Sequence, residues 1–336
     1  MSLSQHLNAL KAPEVQTLGA LKSVPEECLF EVKTANDWIN EAALIPDAKL
    51  LFDEFWREGE LCVLFADSGN GKSLLAVQIA DSITSGKPIL GLKNEVQNEG
   101  VLLFDLELSP KQLEKRYKGP NNVHHEFSPL LYRAQFRPEA IEQNRLLIDI
   151  ENAILLTGSK IVIIDNISYL GNELDKGKDA LPLMKGFKDL KQRLNLSLLI
   201  IAHTPKRPLH LPINQNDLAG SKSIFNFIDS CFAIGKSAQG PSKRYIKQLK
   251  ARDNVEVYHS ENVIGCELKQ NENFTKFEFL EFGYEKDHLQ KVSSKEDLKG
   301  LAAELSNQGH NQRKIAEILK CSPGKVNGLL RRKKDE

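Results

Sequence analysis

Apolar runs and helical patterns alternate through the middle of the chain. Residues 61–65 are mostly apolar and predict a buried parallel strand, and residues 74–83 carry apolar side chains at the spacing of a core-facing helix. Three further apolar runs, at 100–107, 160–165 and 196–202, follow with helical patterns between them. Strands that alternate with helices predict an α/β fold around a mostly parallel central sheet.

Short apolar runs replace this alternation in the region beyond residue 228. Because they follow one another without intervening helices, we expect them to extend the sheet with antiparallel strands. These short strands are predicted at 231–234, 245–249, 255–259, 263–268 and 274–282. The other predicted elements are helices at 109–116, 138–156, 180–194 and 221–227 and a short strand at 130–133.

Both ends of the chain differ from this α/β region, which we place at 46–284. Residues 1–45 are polar and predict an N-terminal arm with a short helix near 35–43. A charged linker over 285–295 precedes three amphipathic helices in 296–336, the last of them capped by Ser322. This arrangement predicts a small all-α helix-turn-helix module, with a protein-interaction or oligomerisation module as the alternative.

The turn between the first predicted strand and its helix carries the clearest motif. Residues 66–73 read ADSGNGKS, which is the P-loop pattern GxxxxGK(S/T) with Ala66 in place of the first glycine. In a P-loop, backbone N–H groups cradle phosphates, the lysine reaches the β- and γ-phosphates, and the hydroxyl holds Mg²⁺. An ordinary glycine-rich turn is the alternative, and the order of strand, loop and helix argues against it. The predicted ATP site comprises Ala66, Asp67, Ser68, Gly69, Asn70, Gly71, Lys72, Ser73 and Leu74.

Acidic residues end two of the other predicted strands, at the sheet edge where open α/β folds bind ligands. Glu107 is the candidate general base that deprotonates water, with Asp105 as a rival and a solvated charge as the alternative. Asp165 ends a β-branched run in the Walker B pattern and is predicted to share Mg²⁺ with Ser73. His203 ends a further strand and is a candidate sensor of the γ-phosphate, against a structural histidine.

Basic residues form three groups outside the P-loop. Lys206 and Arg207 lie in the long loop 204–219, where they could contact a phosphate backbone or belong to a solvated basic loop. Lys250 and Arg252 end a predicted strand, and spacing alone favours a surface pair. In the C-terminal module, the candidate contacts to a major groove and its phosphates are Lys325, Asn327, Arg331 and Arg332.

Composition narrows the class of protein further. The 45 basic and 45 acidic residues cancel, so any affinity for nucleic acid or membranes must come from a local patch. Five cysteines without CxxC spacing indicate reduced thiols and no zinc site. Because no stretch approaches the ~20 apolar residues of a membrane span, we expect a soluble, cytoplasmic protein.

Taken together, these residues resemble the RecA-like hexameric ATPases, and among them the DnaB and RepA-type helicases. The segments FWREGELCVLFADSGNGKS, LFDLELSPKQLEKR, IVIIDN, LLIIAHTPK, LAGSKS and KQLKARDN stand in the family's order over residues 48–282. The resemblance implies that Glu107 is the catalytic base, Asp165 serves Mg²⁺, and His203 senses the γ-phosphate. It also implies that Lys250 and Arg252 reach into the next subunit's nucleotide site. The N-terminal domain typical of DnaB does not appear in this sequence.

The function expected from this resemblance is a DNA-dependent ring ATPase, a homo-hexameric replicative helicase of a plasmid or mobile element. Loops 166–178 and 204–219 would line the pore around single-stranded DNA, and the C-terminal module would bind duplex DNA. The alternative is a DNA-binding regulatory protein that ATP switches without unwinding. A small-molecule P-loop kinase is disfavoured, because the sequence has no evident lid segment and a kinase would not account for Glu107, Lys250 and Arg252.

Overall fold

The computed structural model describes residues 30–137, 145–167, 180–204, 207–218, 224–252, 255–291, 295–307, 309–319 and 321–330. The chain forms two compact units, Met1–Asp47 and Ala48–Glu336. In the first unit, helix α1 (Ala35–Ala42) begins after Thr34, whose hydroxyl oxygen accepts from the backbone N–H of Asp37 at 3.1 Å. The predicted short helix near residues 35–43 is therefore confirmed.

The second unit is built on β-strands that carry the predicted apolar runs. The strands are β1 (Leu50–Phe52), β2 (Trp56–Arg57), β3 (Leu61–Ala66), β4 (Val101–Asp105), β5 (Leu131–Ala134), β6 (Ile161–Asp165), β7 (Ser197–His203), β8 (Ser230–Lys236), β9 (Lys243–Ala251), β10 (Val263–Asn271) and β11 (Phe274–Gly283). Within the described residues, β1 and β2 pair with each other and the other nine strands form one sheet.

That sheet has the order β11-β10-β9-β8-β3-β7-β6-β4-β5. The six strands from β5 to β8 run parallel, and β9, β10 and β11 continue the sheet antiparallel. The predicted fold class, a RecA-like α/β fold with a mostly parallel sheet and antiparallel C-terminal strands, is confirmed. No helix in the described part of the chain is both long and apolar enough to span a membrane.

Helices cover both faces of the parallel part. The described α-helices of the second unit are α2 (Lys72–Ser85), α3 (Pro110–Arg116), α4 (Leu146–Thr157), α5 (Ala180–Leu194), α6 (Glu285–His288), α7 (Lys295–Asn307), α8 (Gln312–Ile318) and α9 (Pro323–Leu330). On β3, Cys62 and Leu64 pack in the cluster that contains α2, whereas Val63 and Phe65 pack in the cluster that contains α5. Burial on both faces explains why the parallel strands are apolar at nearly every position.

One predicted strand is wrong, because residues 255–256 have no regular structure and residues 257–259 form bends. The Gln248 side chain of β9 accepts from the backbone N–H of Val257 at 2.8 Å and of Tyr258 at 3.3 Å. The Tyr258 ring also stacks on Phe55, with ring centroids 4.7 Å apart. A side chain therefore takes the two backbone N–H groups that a paired strand would have donated, while the Tyr258 backbone oxygen accepts from the backbone N–H of Gln248 at 2.8 Å. Two predicted helices are described only in part, because residues 138–144 of the first and 221–223 of the second lie outside the described residues.

The C-terminal helices α7, α8 and α9 pack around a small core of their own. Ser322 caps α9, as predicted, because its side-chain oxygen accepts from the backbone N–H of Lys325 at 3.2 Å. Leu211, from the loop that follows β7, is 7% exposed and belongs to this core. The other buried members are Leu301, Ala302, Leu305, Ile315, Ala316, Val326 and Leu329.

Candidate active site

The P-loop joins β3 to α2 and has a backbone shape that depends on glycine. Gly69 has φ of 78° and Gly71 has φ of 96°, both in the left-handed region that favours glycine. A Cβ added at Gly71 would also lie 2.8 Å from Cζ of Phe277. The first-glycine position is different, because Ala66 completes β3 in an ordinary strand conformation. Alanine is therefore compatible with this P-loop.

Lys72 is a buried cation with neutral partners. It is 6% exposed, and its Nζ donates to the backbone oxygens of Ala66 at 2.7 Å and Asp67 at 3.2 Å. No ion pair joins it to a carboxylate within the described part of the chain. Burial lowers the pKa of Lys72, and the nearby charges of Asp165 and Glu107 oppose that effect. A phosphate at this position would give the ammonium a charged partner, so the loop fits a nucleotide.

Ser73 and Asp165 bring two oxygen ligands together beside this lysine. The Ser73 hydroxyl lies near the Asp165 carboxyl group, which is 4% exposed. Burial raises the pKa of Asp165 to about 6, although the Ser73 hydroxyl acts in the opposite direction. A hydroxyl and a carboxylate are hard oxygen donors of the kind that Mg²⁺ takes at phosphate sites. The two residues therefore fit the predicted Mg²⁺ site.

Glu107, Asn166 and His203 meet at the carboxyl ends of the neighbouring strands β4, β6 and β7. The Asn166 amide nitrogen donates to Oε1 of Glu107 and lies 2.7 Å from Nε2 of His203. Nε2 of His203 lies 3.3 Å from the same Glu107 oxygen. A proton on Nε2 of His203 would lower the pKa of Glu107, whereas burial acts in the opposite direction. Sequence reasoning missed Asn166, whose signal was a polar residue directly after the Asp165 strand.

Asp105, the rival for the role of base, already has structural partners. Its Oδ2 accepts from Nε of Arg133 at 2.9 Å, and its Oδ1 accepts from the backbone N–H of Leu108 at 3.0 Å. Arg133 also donates to the Leu108 backbone oxygen at 2.5 Å. Asp105 therefore shapes the turn after β4, and Glu107 is the acid that remains available. Arg133 was not singled out from the sequence, because the pairing of β5 with β4 brings it here.

Lys250 and Arg252 lie away from this chain's own P-loop. Nζ of Lys250 donates to the Phe225 backbone oxygen at 2.5 Å, and Arg252 pairs with Asp229 at 2.8 Å. The Asp229 carboxylate in turn accepts from the backbone N–H of Leu61, the first residue of β3. Because the P-loop follows the last residue of β3, the two basic residues stand at the opposite edge of the sheet.

The predicted DNA contacts divide into three cases. The Arg207 side chain is 8% exposed, pairs with Asp217 at 3.4 Å and donates to the Leu211 backbone oxygen, so it holds its loop together instead of facing a phosphate. This corrects its assignment as a solvent-facing DNA contact. Lys325 and Asn327 are exposed on α9, as a DNA contact requires. Lys206, Arg331 and Arg332 lie outside the described residues.

The fold and the site define a P-loop ATPase. Residues 26–208 match the family model described as "AAA domain", which is more than half of the 336 residues. The chain belongs to this AAA domain family. No curated protein matches the sequence. Among solved structures, a KaiC-like protein of the archaeon Pyrococcus horikoshii is similar, with 12% identity and a TM-score of 0.47 over 66% of this chain and 90% of that chain.

Proposed function

We propose that this ATPase hydrolyses ATP in a DNA-dependent manner, works as a homo-hexameric ring and is a replicative helicase of the RepA or DnaB type. The observation that supports ATP hydrolysis is the position of Glu107, which Asn166 and His203 contact at the strand ends next to the P-loop. A plasmid or mobile element would be a suitable setting for such a motor with its own DNA-binding module.

The proposed reaction is the attack of water on the γ-phosphate. Glu107 takes a proton from the water as the water oxygen bonds to the γ-phosphorus. The bond from the γ-phosphorus to the bridging oxygen breaks, and its electron pair leaves with ADP. Lys72 holds the β- and γ-phosphates, and His203 senses the γ-phosphate. Ser73 and Asp165 would hold Mg²⁺, which neutralises phosphate charge when bound.

The position of Lys250 and Arg252, at the opposite edge of the sheet from the P-loop, supports the proposed ring. These residues cannot serve the P-loop of their own chain from the opposite edge of the sheet, whereas a neighbouring copy could present them to it. Arginine suits that role, because its guanidinium remains charged and can stabilise the charge of phosphoryl transfer. Its partner Asp229 also pairs with Lys191 at 2.7 Å, so that carboxylate would keep a cation if Arg252 turned outward.

DNA binding is supported by the C-terminal module. Residues 295–336 contain ten Lys or Arg and six Asp or Glu, a local excess of four positive charges in a chain that is neutral as a whole. Helix α9 presents Lys325 and Asn327 to solvent, while Val326 and Leu329 hold it in the core. This is the arrangement expected of a recognition helix that contacts a major groove.

The test is ATP turnover by the full chain without DNA, with single-stranded DNA and with duplex DNA of equal length. Salt is matched throughout, because contacts to phosphates depend on ionic strength. We expect single strands to raise the turnover rate at least about tenfold, within the usual range of coupling between two sites, and duplex DNA to raise it less. Turnover that does not respond to single strands would contradict the motor and leave ATP hydrolysis itself intact.

A second candidate function is an ATP-switched DNA-binding regulator without unwinding activity. The packing of Leu211 in the core of the C-terminal module favours it, because Leu211 belongs to the loop that follows His203 and Thr204. Thr204 donates to the Asp67 carboxylate of the P-loop at 2.6 Å, so this loop has contacts at both sites. Duplex affinity that changes with nucleotide, together with turnover that ignores single strands, would favour this function.

A further inference from the structure

Asn166 is a buried side chain of the site that the proposed reaction does not use. It is 0% exposed and lies between the end of β4 and the end of β7. Its amide nitrogen contacts both Oε1 of Glu107 and Nε2 of His203. A single amide therefore joins the candidate base to the candidate sensor.

The two hydrogens on the Asn166 amide nitrogen determine which ring nitrogen of His203 carries the proton. A primary amide nitrogen has two hydrogens to donate, and a carboxylate oxygen and an unprotonated ring nitrogen both accept. The amide oxygen is unsuited to this position, because it would face a carboxylate that only accepts. Donation to Nε2 requires the proton of a neutral His203 to be on Nδ1. A proton on Nε2 would instead place two donors 2.7 Å apart.

The same contacts distinguish the two oxygens of Glu107. Oε1 receives the Asn166 amide and lies 3.3 Å from Nε2 of His203. Oε2 accepts no hydrogen bond from any residue that the structure describes, and the Glu107 side chain is 30% exposed. Because Oε1 is held, Oε2 is the oxygen that faces an incoming water.

We propose that Asn166 is the positioning residue of this site. Its amide fixes Glu107 through Oε1 and keeps His203 in the Nδ1–H form, so that Oε2 takes the proton from the attacking water. The inference rests on the hydrolysis proposed above and adds a residue to it. Because the Asn166 amide contacts the candidate base and the candidate sensor, we expect it to act on the rate of the chemical step more than on nucleotide affinity.

The first test is the Asn166→Ala variant of the full chain. We expect kcat to fall by about 10- to 100-fold, the loss that a misplaced catalytic group produces, with the KM for ATP changed less than about threefold. Asn94→Ala is the matched control, because Asn94 uses an amide of the same kind to donate to the Ser82 backbone oxygen at 3.0 Å, away from the site. The control should keep its kcat. Thermal melting of each variant separates a loss of folded protein from a loss of rate.

A double-mutant cycle with Glu107→Gln separates positioning from a structural role. If Asn166 acts through the Glu107 carboxylate, Asn166→Ala should change the residual rate of Glu107→Gln by less than about threefold. A full additional loss in that background would overturn the proposal. If Glu107→Gln itself keeps the wild-type rate, the proposed hydrolysis fails first, so the two failures are distinguishable.

A measurement on the wild-type chain applies even if Asn166→Ala does not fold. Nitrogen NMR of ¹⁵N-labelled histidine reports the tautomer of each ring, and His203→Gln identifies the His203 signals. We expect neutral His203 to carry its proton on Nδ1. A neutral ring with its proton on Nε2 would overturn the inference, because that nitrogen could no longer accept from Asn166.

Discussion

Asp165 carries a negative charge in a place where water cannot solvate it. Burial raises its pKa from an ordinary value of 3.8 to about 6. Between these two values, the folded protein keeps a proton that the unfolded chain has released, so the free energy of unfolding falls as the pH rises through this window. Above about pH 6, the full penalty is present. Lys72 compensates part of this charge, and a bound cation would compensate more of it, so one residue would combine a binding function with a cost in stability.

We therefore predict that Asp165→Asn stabilises the metal-free protein at pH 8. At about 1.4 kcal/mol for each pKa unit, the raised pKa corresponds to up to about 3 kcal/mol, and the gain should shrink near pH 5 as wild-type Asp165 is protonated. Urea unfolding in the presence of a chelator measures this. Asp149→Asn, which changes a side chain that is 56% exposed, is the control and should leave stability unchanged at both pH values. A gain of equal size at pH 5 and pH 8 would contradict the explanation.

Sequence patterns predicted the residues of this site that belong to continuous motifs. The P-loop, the Asp165 strand end and Glu107 could be placed because their local sequence fixes both the strand end and the residue type. Asn166 and Arg133 could not, because their roles depend on which strands lie side by side. Arg207 was misjudged for a related reason: its partner Asp217 lies ten positions further along a loop whose fold no local pattern determines.

At the scale of elements, the loop after β7 is fixed at several points. The backbone N–H of Ile213 donates to the Glu285 carboxylate of α6 at 2.7 Å, and Lys247 of β9 pairs with that carboxylate at 2.6 Å. Two residues before Ile213, Leu211 packs in the core of α7, α8 and α9. Leu211 therefore connects this loop to the C-terminal module.

We predict that Leu211→Ala weakens the attachment of the C-terminal module. Removing a buried leucine side chain should cost about 2 kcal/mol, at the low end for such substitutions because this core can partly collapse. Hydrogen exchange should become faster in α7, α8 and α9 and stay unchanged in α2. Val255→Ala, at a position that is 86% exposed, should change neither region. Unaltered exchange in Leu211→Ala would show that the contact does not hold the module.

The elements themselves were largely predictable, and the one wrong strand shows the limit. Parallel strands such as β3 and β6 are buried on both faces, so their apolar runs are unmistakable. Residues 255–259 also carry apolar side chains. In the structure, however, the Gln248 side chain accepts from the backbone N–H of Val257, and the Tyr258 ring packs on the Phe55 ring. Neither partner can be identified from the segment, because both lie elsewhere in the sequence.

At the scale of the whole molecule, the proposed ring ATPase requires more than one copy of the chain. Lys72 stands at one edge of the sheet and Arg252 at the other, so in the proposed ring a complete site would combine the P-loop of one copy with the basic edge of the next. A head-to-tail arrangement of this kind closes into a ring when its rotation permits. The proposed motor depends on this sharing, because it connects hydrolysis at each site to the position of a neighbour.

Mixing Lys72→Ala and Arg252→Ala subunits tests this claim most directly. Each variant alone should be inactive, the first without its phosphate-binding lysine and the second without the arginine that reaches a neighbour. If sites are shared, one interface in four is intact after random assembly at equal amounts, so the mixture should recover up to about a quarter of wild-type ATP turnover. A mixture that stays inactive, although tagged subunits prove that the two variants assemble together, would contradict the account.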